Sequence, residues 1–232
     1  MSDRPASDET LASTRPEKTD VIPLRERYGL ILGLILAAYV VTGVEQTPLV
    51  VLLNTLIWGV VLFAALWSPG LPVVLRRIGL GATLILFITA VTLGSLDSET
   101  AEGWRALVLA VAQMAALLAI LNRVLRHKTV RLQTIMGGVA AYALLAFVMA
   151  AVYFGVDQLT ATEFLRGVSS HGDYTYFSFV AMTTVGFGDI TPVSDLAKRL
   201  VVIEAFVGQV FIVTFVARLV SLWGQPIRVP RE

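Results

Sequence analysis

The 232-residue chain holds one stretch whose residue types and spacing could do chemistry: Thr183-Thr184-Val185-Gly186-Phe187-Gly188-Asp189. The chemistry would belong to the backbone, because its side chains form no nucleophile and base pair. Glycine at the alternate positions Gly186 and Gly188 permits backbone angles that a residue with a Cβ resists. If several copies of this strand surround one axis, the carbonyl oxygens of residues Thr184, Val185, Gly186, Phe187 and Gly188 can turn inward. With the Thr184 hydroxyl at the inner end, they would replace the water shell of a dehydrated cation. All these ligands are neutral oxygens, which suits a large monovalent ion; a divalent ion would want carboxylates.

Such a strand must be held at membrane depth, and the surrounding sequence supplies the means. The chain is 56% hydrophobic and 15% charged with a mean hydropathy of +0.76, a composition that excludes a soluble globule and points to a polytopic membrane protein. Crossing about 30 Å of hydrocarbon takes roughly 20 residues of helix. Apolar runs of about that length are expected at Tyr28–Val44, Leu49–Trp67, Ile78–Leu96, Ala106–Leu121, Ile135–Val156 and Leu196–Leu222. Turn residues break them at Glu45-Gln46-Thr47-Pro48 and at Ser68 to Pro72. The stretch Tyr174–Thr184 covers only about half that length and is expected to be re-entrant or interfacial, as irregular backbone at membrane depth must be shielded by protein or face water. Asp173 is placed to cap its short helix, whose C-terminal dipole end favours a cation at the membrane centre.

The expected fold is therefore an all-α membrane protein of six transmembrane helices plus a re-entrant helix and strand. A scaffold covers residues 28–125 and a pore domain 132–224, with its outer helix at 135–156, pore helix and strand at 173–189 and inner helix at 196–222. Residues 1–27 read as a disordered tail without the apolar core of a signal peptide, and 225–232 as a short tail. Of the 18 basic residues, Arg4, Arg15, Lys18, Arg25, Arg27, Arg76, Arg77, Arg123, Arg126, Lys128, Arg131, Arg218, Arg228 and Arg231 fall on one side. Arg105, Arg166, Lys198 and Arg199 fall on the other, with acidic residues such as Asp97, Glu99, Glu102, Asp157 and Glu163. The positive-inside bias then puts both termini in the cytoplasm.

At Thr183 to Asp189 the sequence resembles the potassium-channel family, whose signature is Thr-Val-Gly-Tyr/Phe-Gly-Asp after a Thr. It matches without a gap, and the likeness extends over roughly Gln133 to Trp223. The resemblance implies a filter holding K+ at Thr184, Val185, Gly186 and Phe187, with K+ as permeant ion and no cofactor. It implies a homotetramer in the lipid bilayer, since one chain carries one filter segment. Tyr176 and Phe177 would belong to an aromatic cuff around the filter, with Tyr176 donating to Asp189; ordinary packing of a buried half-helix is an equal reading of both. Thr183 and Asp189 would be filter support. Some bacterial members carry a glutamate where this chain has Val180, so a carboxyl pair with Asp189 is not expected.

On the inner helix, Gly208 stands where the family often has a hinge glycine, and close packing of a small residue is the competing reading. Gln209, Ile212 and Val216 share one face and would line the cavity. Glu204 is an ionisable residue inside a span and so a functional candidate, either as a hydrogen-bonding group behind the pore helix or as a proton-sensitive one. His171, titrating near neutral pH, reads as a solvated loop residue. In the fourth span, taken as Trp104 to Leu121, Arg105 is the sole basic residue, and Arg123, Arg126, Lys128 and Arg131 would lie beyond its end as anchors. Little intrinsic voltage dependence is expected. Asn54 and Gln113 would make interhelical hydrogen bonds in a scaffold of otherwise unassigned role.

No Ser–His–Asp set, metal cluster or phosphate loop is visible, so the chain does not read as an enzyme, and its net charge of +1 gives no reason to expect a nucleic-acid partner. The leading reading is a potassium-selective channel passing ions passively. A weakly selective cation channel or a non-conducting accessory subunit are the alternatives. The absence of Cys and the compact length fit a prokaryotic plasma membrane.

Overall fold

The computed structural model describes residues 28–44, 47–66, 73–92, 99–126 and 132–223. Both expected tails lie outside these residues, with Arg4, Arg15, Lys18, Arg25, Arg27, Arg228 and Arg231. So do Asp97, Lys128, Arg131 and parts of the connections expected at 45–48 and 68–72. The described chain is almost wholly helical: α1 Tyr28–Thr42, α2 Pro48–Leu66, α3 Val73–Thr92, α4 Glu99–Arg126, α5 Leu132–Leu159, α6 His171–Met182 and α7 Asp195–Trp223. Two short strands, β1 Leu165–Arg166 and β2 Thr191–Pro192, flank α6 and the strand that follows it.

Among the described residues three helices are long and apolar enough to cross a membrane: Glu99–Arg126, Leu132–Leu159 and Asp195–Ser221. The apolar runs of α1 and α2 form helices too, with shorter apolar stretches at Tyr28–Thr42 and Leu52–Ala65. Two expected boundaries are corrected. α3 begins at Val73, so Arg76 and Arg77 lie on the helix rather than before it. α4 runs on to Arg126, so Arg123 and Arg126 belong to the helix and do not lie beyond it. Basic side chains in the last turn complement the exposed carbonyls of the helix end, which lets the helix outrun its apolar segment. Arg126 donates to Asn122 at 3.2 Å and the Arg123 guanidinium lies 5.6 Å from the Tyr28 ring centre.

α5 is the central post. Two thirds (67%) of its most apolar window is buried, against 11% of that of α7. It has almost no polar face because α1, α4, α6 and α7 all pack on it. Small residues permit the approach: a Cβ added at Gly103 or at Gly155 would come within 3.0 Å of the other's carbonyl oxygen, so α4 and α5 touch backbone to backbone. One apolar cluster joins α1, α2, α4 and α5 and reaches Met182 at the end of α6. A second, comprising Tyr153, Phe164, Leu165, Tyr174, Phe177, Ile190 and Ala197, forms a collar about α6.

The α4–α5 contact leads to a prediction about stability. Gly155→Val should lower the thermal stability of the detergent-purified protein by about 1–3 kcal/mol, as overpacking does in a closed core. Gly33→Ala, where an added Cβ meets nothing, should leave the melting temperature unchanged or raise it.

Candidate ion-binding site

The site is assembled by a loop that enters and leaves on the same side. β1 pairs antiparallel with β2, Leu165 facing Pro192 and Arg166 facing Thr191. Val193 N–H donates to the Phe164 carbonyl at 3.0 Å. The ladder therefore clamps the chain entering α6 to the chain leaving the strand. Gly167 is left-handed, at φ +92°, and a Cβ there would overlap the Asp189 carbonyl. The Arg166 guanidinium forms a two-pronged pair with Glu163 at 3.0 and 3.1 Å on the exposed surface.

α6 has 12 residues, about 18 Å of helix and too short to cross. Its N-cap is Ser170, which corrects the expectation for Asp173: that residue is the third helical position. The Asp173 carboxylate reaches back to accept from Ser169 N–H at 2.7 Å, Ser169 Oγ at 2.9 Å and Ser170 N–H at 2.8 Å. This is the carboxylate half of a capping box, and a Ser three residues before an Asp was its signal. Partial burial raises the Asp173 carboxyl and these hydrogen bonds outweigh it, holding it below the usual aspartate range.

At the other end α6 gives way to the strand at Thr183. The N–H groups there turn back onto the helix they left: Thr183 to Phe179 O at 3.0 Å, Thr184 to Ala181 O at 3.0 Å, Val185 to Val180 O at 3.1 Å and Gly186 to Val180 O at 3.4 Å. The Thr183 hydroxyl donates to Phe179 O at 2.6 Å. Thr184, Gly186 and Gly188 have φ of +60°, +55° and +81°, while Val185 and Phe187 between them do not enter that region. Handedness therefore alternates residue by residue. Alternation orients successive peptide groups alike rather than in opposite directions as in a β-strand. A β-branched residue at positive φ is costly, of order 1–3 kcal/mol, so Thr184 is held by its surroundings. Among the described residues nothing donates to the carbonyl oxygens of residues 184–187, and Val185 and Phe187 are exposed on the single chain.

The supports lie behind this strand. Tyr176 donates to Asp189 at 2.7 Å, a bond that holds the Asp189 carboxyl below its usual range. The Tyr176 ring is parallel to that of Phe187 with centres 6.4 Å apart. Phe177 is instead buried against Tyr153, ring centres 5.5 Å apart, on the α5 side. Tyr142 of α5 donates to the Met182 carbonyl at 3.1 Å. Tyr174 donates to Asp157, and the His171 ring meets Phe154 edge to face.

Glu204 is 1% exposed and accepts hydrogen bonds from Tyr153 of α5 and Ser178 of α6, so one carboxyl joins three helices. Ser178 Oγ also reaches the Ala146 carbonyl at 2.8 Å. A serine hydroxyl has one hydrogen and cannot donate to two acceptors; both contacts are made when Glu204 carries the proton or an amide takes its place. Tyr153, Ser178 and Tyr142 were not singled out from sequence. A carboxyl within a span signals buried partners, but which hydroxyls answer it depends on how the helices pair. Gly208 is buried beneath α6, where a Cβ would lie 2.6 Å from Met182 Cγ. Gln209, Ile212 and Val216 are exposed on α7. Arg218 donates to the Leu125 carbonyl at the end of α4, tying the C-terminal part of α7 to the first four helices.

Comparison with known proteins agrees with this geometry. Residues 134–224, which span α5, α6, the strand and α7, match the family described as ion channel. The chain is 38% identical over 78 residues to two pore potassium channel b of Oryza sativa subsp. japonica, an alignment covering 34% of this chain and 21% of that protein. The chain thus matches about a fifth of the length of that relative. No solved structure matches. The protein is mostly helical, with helices of membrane-spanning length and an ion channel domain in its last three long elements.

Two predictions follow from the supports. Glu204→Gln should fold with nearly the wild-type melting temperature, whereas Glu204→Leu leaves the buried Tyr153 hydroxyl without its acceptor, Ser178 keeping the Ala146 carbonyl, and should cost about 1–3 kcal/mol. Because the Asp173 carboxyl is depressed in the folded protein, its contribution is fully present above the ordinary aspartate range and is lost as pH falls through and below that range. Asp173→Asn should therefore remove roughly 0.5–1 kcal/mol at neutral pH and flatten the acid limb of a pH–melting curve.

Proposed function

We propose that the protein is a potassium-selective channel that passes K+ passively across a membrane, with K+ coordinated by the carbonyls of Thr184, Val185, Gly186 and Phe187 and by the Thr184 hydroxyl. One observation carries the reading: the four consecutive carbonyls of residues 184–187 have no donor among the described residues, in a strand whose N–H groups at residues 183–186 are bonded to the helix behind it. Unpaired polar groups at membrane depth are costly unless an ion or water meets them. The ion channel match over residues 134–224 and the likeness to a potassium channel support the same conclusion.

In this reading four copies surround the strand, because one chain supplies one wall and leaves it exposed. The broad apolar surface of α7, with Val202, Phe206, Val210 and Val213 exposed, would then face lipid and neighbouring copies. Gln209, Ile212 and Val216 line the vestibule below Gly188 and the filter. Asp189, Thr183, Tyr176 and Phe177 support it from outside and behind. Gly208 serves close packing against Met182 more than bending, as the space for a side chain is already filled. Glu204 is a strut between pore helix and outer helix whose proton makes it a candidate for pH-sensitive gating. The chain is a multi-pass protein of a prokaryotic plasma membrane, with six spans and both termini cytoplasmic. Arg105 lies 3.3 Å from Glu102 on its own helix, and Arg123 follows only five turns later, a spacing that forms no ladder of moving charge. Little voltage dependence results.

The test is K+ efflux from liposomes holding the purified protein, with Na+ substitution and with Gly186→Ala. Selective K+ flux is expected for the wild type. At φ +55° a Cβ costs roughly 1–2 kcal/mol in each subunit, so the variant should lose at least nine tenths of it. Equal Na+ flux would establish a weakly selective channel instead, and absence of flux from a stable tetramer would overturn the conducting reading.

A further inference from the structure

The last carbonyls of a helix have no donor within it, and at the end of α6 these belong to Phe179, Val180, Ala181 and Met182. The residues that follow serve three of them. Thr183 donates to Phe179 through its N–H and its hydroxyl, Thr184 N–H donates to Ala181, and the N–H groups of Val185 and Gly186 both turn to Val180. Had the helix continued, Gly186 N–H would have met the carbonyl four residues back, that of Met182. The turn-back that forms the strand therefore leaves the Met182 carbonyl without its helical donor. Met182 is fully buried, so the vacancy is costly unless protein fills it.

Tyr142 of α5 fills it. Its hydroxyl donates to the Met182 carbonyl at 3.1 Å, and among the described residues no backbone N–H of the strand reaches that oxygen. The Tyr142 ring lies against Phe211 of α7, centres 5.7 Å apart, which holds the hydroxyl in place. Gly208 keeps the space around the carbonyl open, since a Cβ there would lie 3.2 Å from the Met182 oxygen. The competitor for the same oxygen is Gly186 N–H. It is held to Val180 at 3.4 Å, the longest of the four backbone bonds behind the strand and so the easiest to exchange. The peptide that carries this N–H also carries the Val185 carbonyl. An unclaimed Met182 oxygen would draw the N–H toward its helical position and re-aim that carbonyl with it.

We propose that Tyr142 is a specificity-determining positioning residue: by occupying the Met182 carbonyl, its hydroxyl keeps the Val185–Gly186 peptide in the ion-coordinating arrangement and so sets the preference for K+ over Na+. It touches no ion itself. Selectivity depends on how many oxygens meet the ion and how firmly they are held, and this bond acts on the second of these from the outer helix. The inference rests on the K+ channel reading of residues 184–187 and adds a residue outside the strand on which the selectivity of that site depends.

The test compares the full-length wild type in liposomes with Tyr142→Phe, which keeps the ring and loses the donor, and with a tyrosine fluorinated beside its hydroxyl at position 142, a stronger donor of nearly the same shape. Met182-Thr183 is the sole Met-Thr pair in the chain. Isotope labels on the methionine carbonyl carbons and the threonine nitrogens therefore give one solid-state NMR correlation, which reports the Met182 carbonyl alone. The second readout is the K+/Na+ flux ratio. Tyr142→Phe should move the Met182 carbonyl signal upfield and lower the ratio about fivefold, the worth of one neutral hydrogen bond. The fluorinated tyrosine should move the signal downfield and hold the ratio at or above that of the wild type. A signal that moves in Tyr142→Phe while the ratio stays unchanged would overturn the proposal, because the bond would then serve packing alone. An unmoved signal would overturn it too, as would a ratio that falls with the fluorinated tyrosine, a result that does not depend on Tyr142→Phe folding. Equal K+ and Na+ flux through the wild type is a separate outcome, read without any variant: it defeats the selective-channel reading and this inference with it.

Discussion

The region from α5 to α7 depends on one constraint: in the proposed reading, a backbone that offers its carbonyls to an ion must have its N–H groups satisfied elsewhere. In water the solvent would do this, but at membrane depth each unpaired group is costly. Here the last turn of α6 takes the N–H groups of residues 183–186, with the Val180 carbonyl serving two of them. Left-handed backbone at Thr184, Gly186 and Gly188 alternates with Val185 and Phe187, and among the described residues nothing donates to the carbonyls of residues 184–187. The strain at Thr184 persists because the chain is fixed at both ends.

That fixation explains the supports. On the outside, the β1–β2 ladder and the Tyr176–Asp189 bond tie the exit of the strand to its entrance and to the helix. On the inside, Met182 is held from two directions, its carbonyl by Tyr142 and its side chain over Gly208. Between them Glu204 connects α5, α6 and α7 through hydroxyls. Buried polar groups that are fully paired specify one arrangement of helices where apolar contacts alone would tolerate sliding. α5 thereby becomes the common reference for α6, α7 and the first four helices, which accounts for the burial of two thirds (67%) of its most apolar window.

Much of the helical frame was legible in the sequence, and for local reasons. The alternating glycines, the half-length apolar stretch and the long apolar runs are short-range signals, and the elements at 132–159, 171–182 and 195–223 appear within a few residues of where hydropathy placed them. The errors are local too. Asp173 was read as the cap because its carboxylate sits at a helix start, whereas the capping box puts it three residues inside. α4 outran its apolar run because Asn122, Arg123 and Arg126 are good company for a helix C-terminus. What no local pattern shows is which elements meet. The partners of Glu204, the two-residue ladder and the bond from Tyr142 to Met182 arise only when separate segments pack, so residues such as Tyr153 and Ser178 carried no visible signal.

The most direct measurement of the central claim is anomalous diffraction from crystals of the full-length protein grown with Rb+ in place of K+. A column of rubidium peaks on a fourfold axis, spaced along the carbonyls of residues 184–187, is the predicted result. An ordered strand at the same residues with no peaks beside it, or with its carbonyls bonded to protein donors, would contradict the account.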